Sequence, residues 1–224
     1  GAYEDHIIHE IVPALKSHWN CSTQPQHWCL HGGSSGGYGA LHLASLYPEQ
    51  FGTVSALAPD SYFTASLLPE IFHARPKIQK IGGIAAVAQE LQSGRLAKRK
   101  GFHTLINAIA MGLCYAPNES SPSVQWPTDP HTGRLDEAVW SKWLKHDPVE
   151  FLAQRSGTRS LRKVFLWVGD EDQFNLQFGA RQIAEILTAR GVDLEFQEFE
   201  GHHFDLSRKR PDALAQLEAL WKTL

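Results

Sequence analysis

The chain has 224 residues, 42% of them apolar and 20% charged, values of a globular domain with a real core that set aside disordered and fibrous classes. Its 21 Lys and Arg against 24 Asp and Glu leave a net charge of −3, so it has no electrostatic reason to seek nucleic acid. No apolar run approaches the ~18 residues needed to span a bilayer, so no membrane partner is expected. The three cysteines, Cys21, Cys29 and Cys114, lack the paired spacings of a disulfide framework or a zinc site and read as buried free thiols.

Ile7, Ile8, Ile11, Val12, Leu15 and Trp19 recur at helical spacing, which predicts an amphipathic helix over residues 3–19 kinked at Pro13. The run His27 to His31 reads as a strand, and the spacing of Ala40, Leu41, Leu43, Ala44 and Tyr47 as the helix after a glycine turn. Thr53 to Ala58 reads as the next strand. From about 60 to 147 no convincing strand follows, and this stretch is expected to be a helical insertion with helices over 102–113 and 135–144 and a turn-rich segment over 118–133. Asp147, Pro148 and Glu150 form a helix-start signature.

Lys163 to Val168 is a continuous apolar strand of the kind buried on both faces of a parallel sheet. A helix over roughly 178–190, a strand over Leu194 to Phe199 and a closing helix opened by Pro211 complete the pass. Strands alternating with helices predict an α/β fold with a mainly parallel sheet, one domain over 1–224 carrying 60–147 as its insertion.

Chemistry concentrates at Gly32-Gly33-Ser34-Ser35-Gly36-Gly37, where a strand ends and a helix begins. A nucleophile elbow turns so sharply that its serine is strained and its neighbours two before and two after must be small, a need that Gly32 and Gly36 meet for Ser34. The same stretch in the next register would make Ser35 the nucleophile, and a plain glycine–serine loop is the bland alternative. Reading HGG at 31–33 as an oxyanion loop would require a G-x-S-x-G downstream, and none follows.

A serine nucleophile needs an imidazole to take its proton and a carboxylate to hold the imidazole. Two later strands run into Gly169-Asp170-Glu171-Asp172-Gln173-Phe174 and Glu200-Gly201-His202-His203-Phe204, at the strand ends where open α/β sheets place their sites. The acidic loop by itself could be an ordinary solvated turn. A metal site at the His pair lacks a further ligand at suitable spacing.

With these residues in hand, the chain resembles the putative esterase family of α/β hydrolases that includes esterase D and S-formylglutathione hydrolase. YEDHIIHEIVPAL, GGSSGGYGAL, APDSYF, WPTDPHTGRLDEAVWSKWLKHDPV, GDEDQFNLQFGAR and FEGHHFDL carry the resemblance. It implies the C-terminal portion of the α/β-hydrolase fold, with 60–147 as a helical lid. The family frame falls on Ser34 as nucleophile, Asp172 as acid and His203 as base, with His202 as the fallback, and gives the Ser35 N–H an oxyanion role.

The implied reaction is carboxylic-ester hydrolysis through an acyl-enzyme on a small-molecule ester, with no cofactor and no metal. Acyl transfer and a non-catalytic binding module on the same fold are the alternatives, and a homo-oligomer is compatible with either. Tyr62, Phe63 and Trp126 are expected at the substrate pocket; with Trp140 and Trp143, at least half of these aromatics are expected to be core. Members of the fold begin with further strands and a His-Gly oxyanion loop, while Tyr3 already matches the helix before the nucleophile strand. The resemblance therefore implies that the N-terminal part of the fold is missing from this sequence. The nucleophile strand is then expected at a sheet edge, with Trp28 and Leu30 poorly covered.

Overall fold

A computed structural model describes residues 2–118 and 123–224. Its chain divides into two compact units, one running to Asp60 and resuming over Leu152–Leu224, the other Ser61–Phe151.

The first unit opens with α1 (Tyr3–His6), a π-helical turn over Ile7–Ile11 and α2 (Val12–His18). The kink expected at Pro13 takes the form of that π turn. Pro13 has no N–H for the carbonyl of His9, and the ladder shifts so that Val12 N–H donates to Ile7, five residues back. Next come β1 (Cys29–Gly33), α3 (Ser35–Leu46) and β2 (Thr53–Leu57). After the second unit the chain continues through β3 (Lys163–Gly169), α9 (Leu176–Ala189), β4 (Asp193–Phe199) and α10 (Leu206–Trp221).

Among the described residues the four strands form one parallel sheet in the order β1-β2-β3-β4, with Cys29 opposite Thr53, Val54 opposite Val164 and Leu166 opposite Phe196. Parallel neighbours require crossovers, which α3 and α9 supply on their respective β-α-β units. The strand expected over 27–31 begins two residues later and runs on to Gly33, because Pro25–His27 is taken up by a 3₁₀ turn. The central strands are covered on both faces: all five residues of β2 are buried, and in β3 only Lys163 is not. Such fully buried side chains as Leu57, Leu166 and Ile183 each contribute about 1.5–3 kcal/mol of transfer free energy. β1 lies at one edge of the sheet, and Trp28 and Leu30 are only half-buried.

Polar residues inside the sheet have partners: Thr53 Oγ1 donates to the Gln26 carbonyl at 2.8 Å, and Ser55 Oγ pairs with His31 Nδ1 at 3.0 Å. α10 begins five residues before Pro211, which lies inside it. The helical run opens upstream in a 3₁₀ turn over His203–Asp205, capped by Asp205 Oδ2 accepting the His202 N–H at 2.9 Å, and α10 continues from it. The thiols are free, but only partly as expected: burial pushes Cys29 up to about 12, Cys21 is half-buried and Cys114 is exposed on its helix.

The second unit contains α4 (Leu67–Ile81), α5 (Ile84–Gln92), α6 (Phe102–Tyr115), α7 (Glu137–Leu144) and the start of α8 (Pro148–Gln154). Its core packs Ala74 and Ile78 against Val87, Leu96, Leu105 and Ala108. Asp136 caps α7 by accepting from Val139 N–H at 3.0 Å. Two isolated antiparallel bridges, Pro117 to Val124 and Thr128 to Leu135, order part of the segment expected to be turn-rich, whose residues 119–122 lie outside the described residues.

Asp147 does more than start a helix. Its carboxylate is 2% exposed and accepts three backbone N–H groups, from Phe63 at 2.6 Å, Tyr62 at 2.9 Å and Val149 at 3.1 Å. Burial raises its affinity for a proton, and the three donors oppose that. Asp147→Ala leaves three donors without an acceptor. It should cost about 3–5 kcal/mol, read as a fall in Tm of roughly 10 °C; an unchanged melt would show that the clamp contributes nothing.

Candidate active site

Ser34 sits between β1 and α3 with φ 57° and ψ −125°, a conformation that costs a non-glycine residue about 1–3 kcal/mol. The turn is held by Ser34 N–H donating to the Leu57 carbonyl at 2.8 Å and by Tyr38 N–H donating back to the Ser34 carbonyl at 3.0 Å. Ser35 begins the helix, so its N–H has no acceptor within α3 and stands at the positive end of the helix dipole.

The glycines divide differently from the small-residue rule applied to the sequence. A Cβ on Gly32 would lie 2.4 Å from the Gly36 backbone, and one on Gly37 would come within 3.2 Å of Pro59 and of the Gly32 carbonyl. One on Gly36 would meet nothing within 4 Å outside its own turn. Gly32→Ala should therefore disrupt the elbow and reduce soluble yield or Tm, whereas Gly36→Ala should be tolerated. Equal behaviour of the two variants, measured by thermal melts, would contradict this account of the turn.

The other two loops are laced together. A Cβ on Gly169, where β3 ends, would lie 2.4 Å from the Gly201 carbonyl, so only glycine lets these backbones approach. Gly201 N–H donates to Asp170 Oδ1 at 3.0 Å, Glu171 N–H to the Gly201 carbonyl at 3.1 Å, and His203 N–H to Gln173 Oε1 at 3.0 Å. This framework joins the two sequence-predicted partners: His203 Nδ1 lies 2.7 Å from Asp172 Oδ2, with Asp172 2% and His203 8% exposed. Phe174 N–H donates to the other oxygen of Asp172 at 2.9 Å. His202, one residue earlier, is exposed and turns to the Glu171 carbonyl at 2.9 Å, away from Asp172. That hydrogen bond raises its affinity for a proton.

The serine differs from expectation. Its hydroxyl was expected to face His203, but Ser34 Oγ donates to Asp60 Oδ1 at 3.2 Å, and among the described residues no hydrogen bond joins Ser34 to His203. Asp60 is a site residue that sequence reasoning missed. It follows β2 in a loop where Ala58 also has positive φ, 41°, so strain gathers at the ends of both β1 and β2. The segment after His203 does reach the elbow, since a Cβ on Gly33 would lie 3.8 Å from Leu206 and from Arg210. Two further residues went unseen: Phe174 meets the His203 ring edge-on at 5.0 Å, and Phe204 does so at 5.8 Å while remaining largely exposed.

The expected pocket residues lie in or beside the second unit's own packing. Phe63 is fully buried, stacked on Tyr115 at 5.2 Å, and is a core residue there. Trp140 and Trp143 are core as well, as expected for at least half of the aromatics. Tyr62 is half-buried with φ 49°, and Trp126 faces a cleft of that unit. No cluster of three metal-ligating side chains occurs among the described residues, and none of its helices is long and apolar enough to cross a membrane.

A parallel sheet crossed by helices, with a positive-φ serine after one strand and a carboxylate–imidazole pair on loops after two later strands, is the arrangement of the α/β-hydrolase fold. Residues 1–207 match the family described as Putative esterase, and the chain belongs to that family. The acylaminoacyl peptidase of Pyrococcus horikoshii superposes with a TM-score of 0.52 at 12% identity, over 98% of this chain and 27% of that one. An S-formylglutathione hydrolase from Agrobacterium tumefaciens gives 0.48 at 15% identity, over 95% and 55%. A fluorophosphonate-binding serine hydrolase of Staphylococcus aureus gives 0.47 at 18% identity, over 96% and 63%. The chain thus spans less than two thirds of the length of each. No curated protein matches it.

Proposed function

We propose that this chain carries the catalytic centre of a serine carboxylic-ester hydrolase acting on small-molecule esters. Ser34 Oγ attacks the ester carbonyl carbon while His203 takes the hydroxyl proton, and Asp172, on the other imidazole nitrogen, stabilises the cation that forms. The Ser35 N–H donates to the carbonyl oxygen as it gains charge. Collapse expels the alcohol, which receives the proton from His203, and leaves an acyl ester on Ser34. Water, deprotonated by His203, then releases the carboxylic acid and restores the serine.

The observation that carries this reading is the buried 2.7 Å contact of Asp172 and His203, held by a loop framework at the end of the sheet that also bears the strained Ser34. Membership of the esterase family supports the reaction class. For turnover the Ser34 hydroxyl must leave Asp60 and rotate toward His203. A p-nitrophenyl ester tests the scheme: a burst of nitrophenolate equal to the enzyme present, together with one acyl group on the protein by mass spectrometry, is the expected result. Turnover without any acylated protein would exclude the covalent route.

One observation favours a second reading, a chain that keeps the fold without hydrolysing esters: the serine hydroxyl bonded to Asp60 in place of His203. Asp60→Asn separates the two. It preserves an acceptor of weaker pull, so the hydrolase reading expects the burst to survive or speed up, and the other expects no burst from either protein.

A further inference from the structure

Within the unit Ser61–Phe151 lies a cleft of about 580 Å³ whose walls include Arg75, Val124, Trp126, Thr128, Arg134 and Leu135. Arg75 projects from α4 with its guanidinium over the Trp126 ring at 5.2 Å. Among the described residues the Arg75 side chain makes no hydrogen bond or ion pair, and its buried Nε has no acceptor; the buried hydroxyl of Thr128 is likewise without a partner. Burial weakens the hold of Arg75 on its proton, and the charge of Asp129 opposes that. Among the described residues the Arg134 guanidinium has no hydrogen bond or ion pair either.

Two carboxylates also line the cleft, but each serves its own turn. Asp129 Oδ1 accepts from His131 N–H, Thr132 N–H and Thr132 Oγ1 at 2.7–3.0 Å, which pulls its affinity for a proton down. Asp136 Oδ1 caps α7. Of the two carboxylates only the Oδ1 atoms are engaged among the described residues, but neither carboxylate is among the buried groups left without a partner; those lining this cleft are Arg75 Nε and Thr128 Oγ1, so the buried demand on the guanidinium side is for an acceptor. A buried donor with no acceptor is rare, and where it occurs beside a cavity it asks for one.

We infer that this cleft is a binding site for an organic carboxylate, seated on Arg75 and Arg134 with its apolar body against Trp126, Val124 and Leu135. A planar guanidinium fork matches a carboxylate with two parallel hydrogen bonds. The apolar walls select an anion with a hydrophobic body over inorganic phosphate. All the residues involved belong to one unit, and none is part of the Ser34 centre, so the inference stands or falls apart from the proposed esterase reaction.

Benzoate is the probe, benzamide its neutral isostere and inorganic phosphate the alternative anion, each titrated into the ¹⁵N-labelled chain with the Trp126 indole N–H as reporter. The expected result is saturable binding of benzoate, with Kd on the order of 1 mM. Benzamide and phosphate should bind at least roughly tenfold more weakly. Arg75→Met should weaken benzoate by a similar factor while Ser34→Ala leaves it unchanged. No saturable benzoate shift at Trp126, equal affinity for benzamide, or a preference for phosphate would overturn the proposal. Should Arg75→Met fail to fold, the three-ligand comparison on the unmutated chain still decides.

Discussion

Ser34→Ala should remove essentially all ester hydrolysis, lowering kcat by on the order of 10⁶-fold, the scale seen when a triad nucleophile is deleted. The replacement takes away only Oγ, the atom that forms the acyl bond. It also breaks the 3.2 Å hydrogen bond to Asp60, but the backbone bonds of Ser34 to Leu57 and Tyr38 remain, so the elbow should keep its shape. Alanine has no easier access to positive φ than serine, so the melt should be nearly unchanged. Ser35→Ala supplies the control: its amide survives, and activity should stay within a fewfold of wild type. Loss of activity in Ser35→Ala with retention in Ser34→Ala would move the nucleophile by one residue.

Asp172→Asn should lower kcat by on the order of 10⁴-fold with the fold intact, by analogy with the same change in serine-protease triads. The carboxylate accepts from His203 Nδ1 at 2.7 Å through one oxygen and from Phe174 N–H through the other. If the amide oxygen remains on Phe174, its NH₂ faces Nδ1 and favours the tautomer whose other nitrogen carries the proton. That nitrogen can then no longer accept one from Ser34. His202→Ala should have little effect, because His202 is exposed and bonded to the Glu171 carbonyl. Steady-state kinetics on the three variants checks the set, and an active Asp172→Asn would remove Asp172 from the mechanism.

Much of the fold is legible in the sequence where a single physical rule dominates. VFLWV reads as a strand buried on both faces, and it is; Asp147 announces a helix start by its chemistry and accepts from Val149 N–H there. Boundaries fail where tertiary contacts compete with local signals. Pro211 looks like a helix start, yet α10 continues directly from the capped 3₁₀ turn over His203–Asp205 and carries the proline inside. Leu67–Ile81 lies within the expected helical insertion but has no individual prediction, and it carries Pro76 inside it.

The candidate site follows the same division. The three loops that carry Ser34, Asp172 and His203 are legible because each follows a strand and contains glycine, while the choice of these residues over Ser35, Asp170 and His202 comes from the family resemblance. The structure explains two of those glycines by contact: Gly32 clears the Gly36 backbone, and Gly169 clears that of Gly201. Asp60 has no such marker, and its role depends on a side-chain direction that no spacing records. Nor could the sequence foresee that Gly37 is sterically tighter than Gly36, or that Phe63 is packed inside the helical unit.

Peptide mapping after treatment with a fluorophosphonate tests the central claim most directly, since such a probe phosphonylates only a serine activated by its surroundings. One equivalent of label should appear on the peptide containing Ser34, with fragmentation placing it on that residue. Labelling should vanish in Ser34→Ala and fall steeply in Asp172→Asn. No label, label on Ser35, or undiminished labelling of Ser34→Ala would contradict the assignment of Ser34 as the nucleophile.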